Sequence, residues 1–488
     1  MKMRLVYCLF FAAIYLFPFP IYALEKEKLT LNNNMTIIYN KLPPEAETFP
    51  QVFSKGIFYA RIRSNMFYYN FNLENYALGG KNKSHKIMGI GGSLIYKTAP
   101  FEGFSTTLGI YTSQNPWFFR EEKVDAGFIK SGKDTFSRNK IKNGGRYDGS
   151  YGMTVLGQAY LQFDFAETSL FAGRQLFESV FTSSNDTKMI PNTFDGISAD
   201  IKAFSDSRIQ LAYFTAQKLR DHTHSHDVIA YDSWNENDDS GVNRSLNKTL
   251  VGTNNRLFII SANTKKINNL DATVSYLLVP DIISNITIET HYKIPLGEWL
   301  VIPGMRFMLQ RDHLNTNVPV ANLIGLTNGY HDPDSLDGRL YAARVDLKKG
   351  SSSFRLGYSK VSDDADIINP WRGFPTGGYT RVMSQYNWQA NTECFLISVD
   401  YDFGKAGLVP GLKMFARYVI QDFDDLKIGV QPDSNVFNMD ILKKLANNFE
   451  MKFRFNWVKG EKNIYSQNGT LKTDISYSEY RLEFNYFF

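Results

Sequence analysis

The chain has 488 residues, of which 43% are hydrophobic, 15% aromatic and 21% charged, with a formal net charge of +5. So balanced a charge gives no general affinity for nucleic acid, and past the first two dozen residues no apolar run reaches the roughly 20 residues of a membrane helix. Only the aromatic share, 38 Phe, 28 Tyr and 6 Trp, departs from what an ordinary soluble protein would carry.

The N-terminus reads as a signal peptide. Lys2 and Arg4 precede the apolar run LVYCLFFAAIYLF, and Ile21-Tyr22-Ala23 ends in a small residue, so cleavage is expected after Ala23. An uncleaved anchor fits less well, because the run is short and no basic stop-transfer cluster follows it. Cleavage removes Lys2, Arg4 and Cys8, which lowers the net charge to +3 and leaves Cys394 without a partner for an intrachain disulfide. Tyr7, standing before Cys8, is not the small residue of a lipoprotein site. The expected organisation is a signal peptide over 1–23, an N-terminal extension of no assigned role over 24–55, and a single β domain over 56–488.

From residue 57 the pattern has period two. Alternating runs lie near 57–68, 86–97, 103–113, 150–163, 168–174, 195–204, 208–217, 256–264, 270–279, 284–294, 303–310, 339–347, 353–361 and 436–444. Four more are clearer. Phe395, Ile397, Val399, Tyr401 and Phe403 alternate with Ser398, Asp400 and Asp402; Leu412, Met414, Ala416, Tyr418 and Ile420 alternate with Lys413, Phe415, Arg417 and Gln421. In FEMKFRFNWV, Phe449, Met451, Phe453, Phe455 and Trp457 alternate with Glu450, Lys452, Arg454 and Asn456, and EYRLEFNYFF closes the chain in the same way. Together these make about 18 runs, each about the 9–11 residues of a tilted membrane strand, and an even number as a closed bacterial barrel requires.

The connections alternate as well. Tight turns at 165–168, 205–208, 348–351 and 445–448 interleave with long polar segments at 114–149, 218–255, 311–338, 362–393 and 459–477. Short periplasmic turns and long external loops mark an outer-membrane barrel. A soluble β-sandwich also alternates, but its inner faces mix residue sizes for packing, whereas these faces are rich in Phe, Tyr and Met with Tyr or Trp at strand ends. The expected fold is therefore all-β: a transmembrane antiparallel barrel in the outer membrane, contacting lipid outside and too wide for side chains to fill inside.

Several stretches resemble the OprD-type porins, the outer-membrane carboxylate channels: AGRQLFESVFTSSNDTKMIPNTFDG at 172–196, YKIPLGEW at 292–299, YDFGKAGLVPGLKMFARYV at 401–419, MKFRFNWV at 451–458 and the terminal EYRLEFNYFF. The resemblance implies an 18-stranded barrel with one loop folded into the lumen and a ladder of basic side chains facing it. It also implies a passive, substrate-selective channel for small carboxylate-bearing or amino-acid-like solutes, with no enzymatic activity and no cofactor. It implies too that the C-terminal Phe488 is read by the barrel assembly machinery, and the barrel is expected as a monomer or loose trimer. A general diffusion porin, or a surface barrel working as adhesin or metal binder through its loops, are the alternatives.

Parity alone picks out the basic side chains of the lumen: Arg61 and Arg63, Arg344 and Arg355, then Arg417, Lys452, Arg454 and Arg481. Of these, Arg417, Lys452, Arg454 and Arg481 match the family pattern, and Arg344 does not. Guanidinium groups suit the task because they stay charged and hold a carboxylate through two parallel hydrogen bonds. For each, the competing role is a wall salt bridge with Glu450, Glu479, Glu483 or Asp400. Lys188 matches a basic position of the family's constriction, with Ser183, Ser184 and Asp186 placed to bond the far end of a solute. His222, His224 and His226 in HTHSHD are metal-ligand candidates only if an extended segment presents them together. No Ser, His or acidic residue stands in a recognisable catalytic motif.

Overall fold

The computed structural model describes residues 28–73, 84–123, 135–142, 146–202, 204–229, 256–314, 319–322 and 326–488. The signal peptide and its cleavage after Ala23 lie outside them. Eighteen antiparallel strands form one closed barrel, as the alternation predicts. In chain order they are β1 (Ile57–Phe71), β2 (Ser84–Lys97), β3 (Phe104–Gln114), β4 (Gly152–Phe165), β5 (Thr168–Gln175) and β6 (Thr193–Ile201). Then come β7 (Ser207–Lys218), β8 (Leu257–Thr264), β9 (Leu270–Val279), β10 (Ile283–Tyr292, resumed at Ile294–Leu296), β11 (Trp299–Asp312) and β12 (Gly338–Lys349). The last six are β13 (Ser352–Val361), β14 (Glu393–Asp402), β15 (Leu412–Asp422), β16 (Ser434–Ala446), β17 (Phe449–Gly460) and β18 (Tyr477–Phe487). Each strand pairs with the next, and β18 pairs with β1, Arg481 opposite Phe67 and Asn485 opposite Arg63.

Closure follows from the solvent. Backbone polar groups cannot stay unpaired in hydrocarbon, and a barrel has no edge to leave open. The outward face of β1 carries Phe58, Ile62 and Tyr68, all exposed, between the buried Tyr59, Arg61, Arg63 and Phe67. FEMKFRFNWV behaves the same way: Phe453 lies opposite Leu482 and Phe455 opposite Tyr480 on the lipid face, Lys452 opposite Glu483 and Arg454 opposite Arg481 on the lumenal face.

Both ends of the barrel domain, at Ile57 and Phe487, lie at the rim of short turns, with two-residue links between β4 and β5, β10 and β11, β12 and β13, and β16 and β17. The opposite rim carries the long connections, except that residues 280–282 join β9 to β10 tightly there.

A lumen this wide is filled by chain rather than by wall side chains. Among the described residues at least two connections fold inward, where the sequence leads to expect one. Residues 176–192 lie against β1, and nearly all of residues 365–392 are buried. The second carries the main lumenal core, in which Trp371 and Trp388 pack with Phe177, Phe214 and Ile283. Residues 28–55 also form part of the molecule: a small hairpin, Leu29–Leu31 paired with Ile37–Tyr39, and a short helix, Phe49–Ser54, at the short-turn rim.

Candidate functional site

The candidate constriction lies where the loop of residues 176–192 meets the wall formed by β18 and β1. Asp186 is the centre of the contact. Its carboxylate is ion-paired with Arg61 and with Arg63, the latter through Nη1 at 2.7 Å, and Arg63 also pairs with Glu483. All four side chains are 3% exposed or less. Two cations against two anions satisfy one another, which is the condition under which charges can be buried at all. The loop backbone is fixed beside them: Asn65 Nδ2 donates to Lys188 O at 2.8 Å, and Arg220 Nη1 donates to Asn185 O at 2.8 Å.

Lys218, at the end of β7, donates to Pro191 O at 3.4 Å and Leu219 O at 3.0 Å. Lys188 is buried with its Nζ 5.7 Å from the Phe67 ring centroid. Ser184 is buried, and its N–H donates to Glu178 Oε1 at 2.9 Å; burial pushes the Glu178 carboxyl above the ordinary carboxylate range. The Ser183 N–H donates to Trp371 O at 3.0 Å, and Gly373 N–H to Phe181 O at 3.1 Å, so the two inward loops are stitched together. The approach is close enough that a Cβ at Gly373 would stand 2.3 Å from the Phe181 carbonyl carbon.

The second loop is held from the opposite wall. Arg306 grips Glu289 at 2.6 Å and 3.0 Å and donates Nη1 to Pro375 O at 2.7 Å. Arg344 and Arg355 both donate to Gly378 O, at 2.8 and 2.9 Å, and Arg355 is also paired with Asp346. Arg306 was not among the residues parity selects, although it stands directly opposite Glu289 across β10 and β11, a cross-strand charge pair visible once the register is known.

The lumenal basic residues thus fall into two groups. Arg61, Arg63 and Arg481 are sealed; Arg481 pairs with Glu479 and donates to Ser384 Oγ of the second loop at 2.7 Å. For Arg63 and Arg481 the wall salt bridge with Glu483 or Glu479 is what the structure shows. The others keep lumenal surface. Arg355 is 29% exposed and Arg454, paired with Asp440 at 2.9 Å, 15% exposed. Arg417 and Lys452 are partly exposed, and among the described residues neither is closed in an ion pair; Arg417 reaches Asn438 Oδ1 at 3.4 Å.

Register places the second group on one wall. Arg355 faces Ser398, Ser398 faces Arg417, Arg417 faces Asn438, and Asp440 faces Arg454 on the next strand. Three cations, Arg355, Arg417 and Arg454, therefore follow one another along β13 to β17, with Lys452 beside the last and nearer the short-turn rim.

Of the HTHSHD histidines, His222 is buried, His226 half-buried and His224 exposed, and the His222 and His226 rings meet edge to face at 5.3 Å. No group of three or more metal-ligating side chains occurs among the described residues.

The sequence model of the OprD family of outer membrane porins matches residues 123–431. Solved structures are similar over nearly the whole molecule. OccAB1 of Acinetobacter baumannii superposes with a TM-score of 0.68 at 14% identity, over 91% of this chain and 99% of that one. OccK8 (OprE) of Pseudomonas aeruginosa gives 0.66 at 14%, over 90% and 99%, and OpdK of Pseudomonas aeruginosa, in a structure with vanillate, 0.64 at 13%, over 88% and 98%. No curated protein matches the sequence.

Proposed function

The chain belongs to the OprD family of outer membrane porins, a family of channels rather than enzymes, and from that premise we propose that it passes small water-soluble solutes bearing a carboxylate. The carrying observation is the split among its basic residues. Arg61, Arg63 and Arg481 are consumed in holding the constriction together, while Arg355, Arg417, Lys452 and Arg454 keep surface toward the lumen along adjacent strands. A carboxylate moving down that wall exchanges one guanidinium for the next. Each hold is partly satisfied by a wall partner such as Asp440 or Asp346, so none retains the solute for long. Low dielectric around the constriction strengthens the attraction relative to bulk water.

Vanillate in the OpdK structure is an aromatic carboxylate, which agrees with this solute class. Ser183, in the first inward loop, would supply a hydrogen bond to the uncharged end of a solute. The reading includes export with cleavage near Ala23 and insertion through Phe488, which is 51% exposed at the short-turn rim.

Planar-bilayer recording tests the channel, and the triple variant Arg417→Glu, Lys452→Glu, Arg454→Glu tests its selectivity. The parent is expected to prefer anions and the variant cations, with the reversal potential changing sign. An unchanged reversal potential removes these residues from the pathway. Liposome uptake across monocarboxylates, dicarboxylates, amino acids and sugars then ranks the solutes, and equal uptake of sugars would favour a general diffusion porin.

A further inference from the structure

The described part of the N-terminal extension, from residue 28, runs inside the barrel. At the rim, residues 41–55 are fastened beside the turn that follows β2: Ala46 N–H donates to Pro100 O at 2.7 Å, Ala99 N–H to Val52 O at 2.9 Å, and Tyr96 OH to Phe53 O at 2.6 Å. From there the chain runs back into the lumen as the hairpin of residues 28–40. Leu29 is buried in a cluster with the inward-facing Tyr59, Ile95, Tyr111 and Val155. The Tyr39 ring meets Tyr59 edge to face at 4.7 Å, under the Lys97 ammonium at 4.5 Å.

The hairpin tip, Asn32 to Thr36, reaches the constriction itself. Arg61, already bound to Asp186, donates Nη1 to Met35 O at 2.9 Å, and Asn34 Nδ2 donates to Ser183 Oγ at 3.3 Å. Lys452 Nζ, one of the cations of the open wall, lies 3.9 Å from Met35 Sδ. Asn32 and Asn33 at the tip are exposed.

We propose that residues 28–40 are a built-in plug. They occupy the periplasmic side of the lumen below the constriction, confine the passage to the wall of Arg417, Lys452 and Arg454, and leave that position to open a wider path. The geometry distinguishes this segment from the two inward loops. The loops are connections between barrel strands and continue into the wall at both ends, whereas the hairpin joins the barrel domain on its C-terminal side through residues 41–56. Its own ladder, Leu29 with Tyr39, Thr30 with Ile38 and Leu31 with Ile37, pairs with no barrel strand. Displacing it breaks the few tip contacts and the packing around Leu29 and Tyr39 but no hydrogen bond of the barrel wall. A segment that only stabilised the wall would be expected to add to its ladder, and this one stands off it.

The proposal rests on the channel reading, and the experiment separates the two. Single-channel conductance is compared between the full mature chain and a chain lacking residues 28–40, with folding checked by heat-modifiable migration in gels. At least a twofold rise in conductance in the truncated chain is expected. Equal conductance in two folded proteins overturns the plug and leaves the channel standing; two folded proteins that both fail to conduct overturn the channel and the plug with it. Should the truncated chain not fold, the full chain carrying Asn34→Cys and Ser183→Cys decides. Oxidation is expected to link the pair and abolish brief high-conductance openings that reduction restores, whereas no cross-link, or identical traces in both states, overturns the plug.

Discussion

Residues 176–192 and residues 365–392 both fold into the lumen, and they are held there by different chemistry. The first loop puts Phe177 and Phe181 into the lumenal core and adds a buried charge cluster: one carboxylate, Asp186, binds two arginines of β1, and Glu483 on β18 balances the second. The second is anchored by apolar bulk, with Trp371 and Trp388 in the lumenal core, and by guanidinium groups on backbone carbonyls at Pro375 and Gly378. A buried charge cluster is intolerant of losing one member, because the remainder is left uncompensated. An apolar anchor fails more gradually, since neighbours relax into the space and each lost contact is small. The difference makes the first loop the more sensitive of the two to the loss of a single charged partner.

Three substitutions separate these anchors. Asp186→Ala is expected to have the largest effect. It leaves Arg61 and Arg63 with one carboxylate between them and costs about 3–5 kcal/mol, the range for breaking a buried pair. With the charge cluster broken, single-channel conductance should rise several-fold while the barrel still folds; parent-like conductance would show that charge does not pin the loop. Trp371→Ala removes the largest side chain of the other anchor and costs about 3–4 kcal/mol, within the span for core aromatic truncation. Here the guanidinium bonds to Pro375 and Gly378 persist. A lowered thermal midpoint with nearly unchanged conductance is therefore expected, and a conductance rise matching that of Asp186→Ala would erase the distinction between the loops.

The smallest effect concerns pH. Burial raises the Glu178 carboxyl, so the folded loop binds a proton more tightly than the unfolded chain does. That contribution is complete below the ordinary carboxylate value and is lost as the pH rises through the raised one. Open-channel current noise should accordingly grow as the pH moves from the carboxylate range toward neutrality, and Glu178→Gln, which cannot ionise, should flatten the dependence.

Much of the barrel can be read from residues two apart. Lipid on one side and a polar lumen on the other impose alternation on every strand, and even 436–444, the faintest run, lies within the strand Ser434–Ala446. The tight turns and long connections follow from the gaps between runs. The placement of Lys452 and Arg454 on the lumenal side is likewise fixed by parity, as FEMKFRFNWV shows by itself. Parity says nothing, however, about what covers a lumenal side chain. Arg61, Arg63 and Arg417 are indistinguishable in pattern, yet the first two are sealed by an aspartate more than 120 residues away in sequence while the third keeps lumenal surface.

The same limit hid the second inward loop, the part played by Arg306 and the position of the N-terminal hairpin. Each depends on pairings between segments far apart in the chain, whose partners are brought together only when the barrel closes and its interior must be filled. The alternation of solvents on the two faces of a strand is a local demand, written residue by residue, and the sequence by itself determined the barrel through it. Filling the lumen is a global demand, met by whichever loops and termini reach the vacancy with complementary charge and shape, and only the tertiary structure decided that.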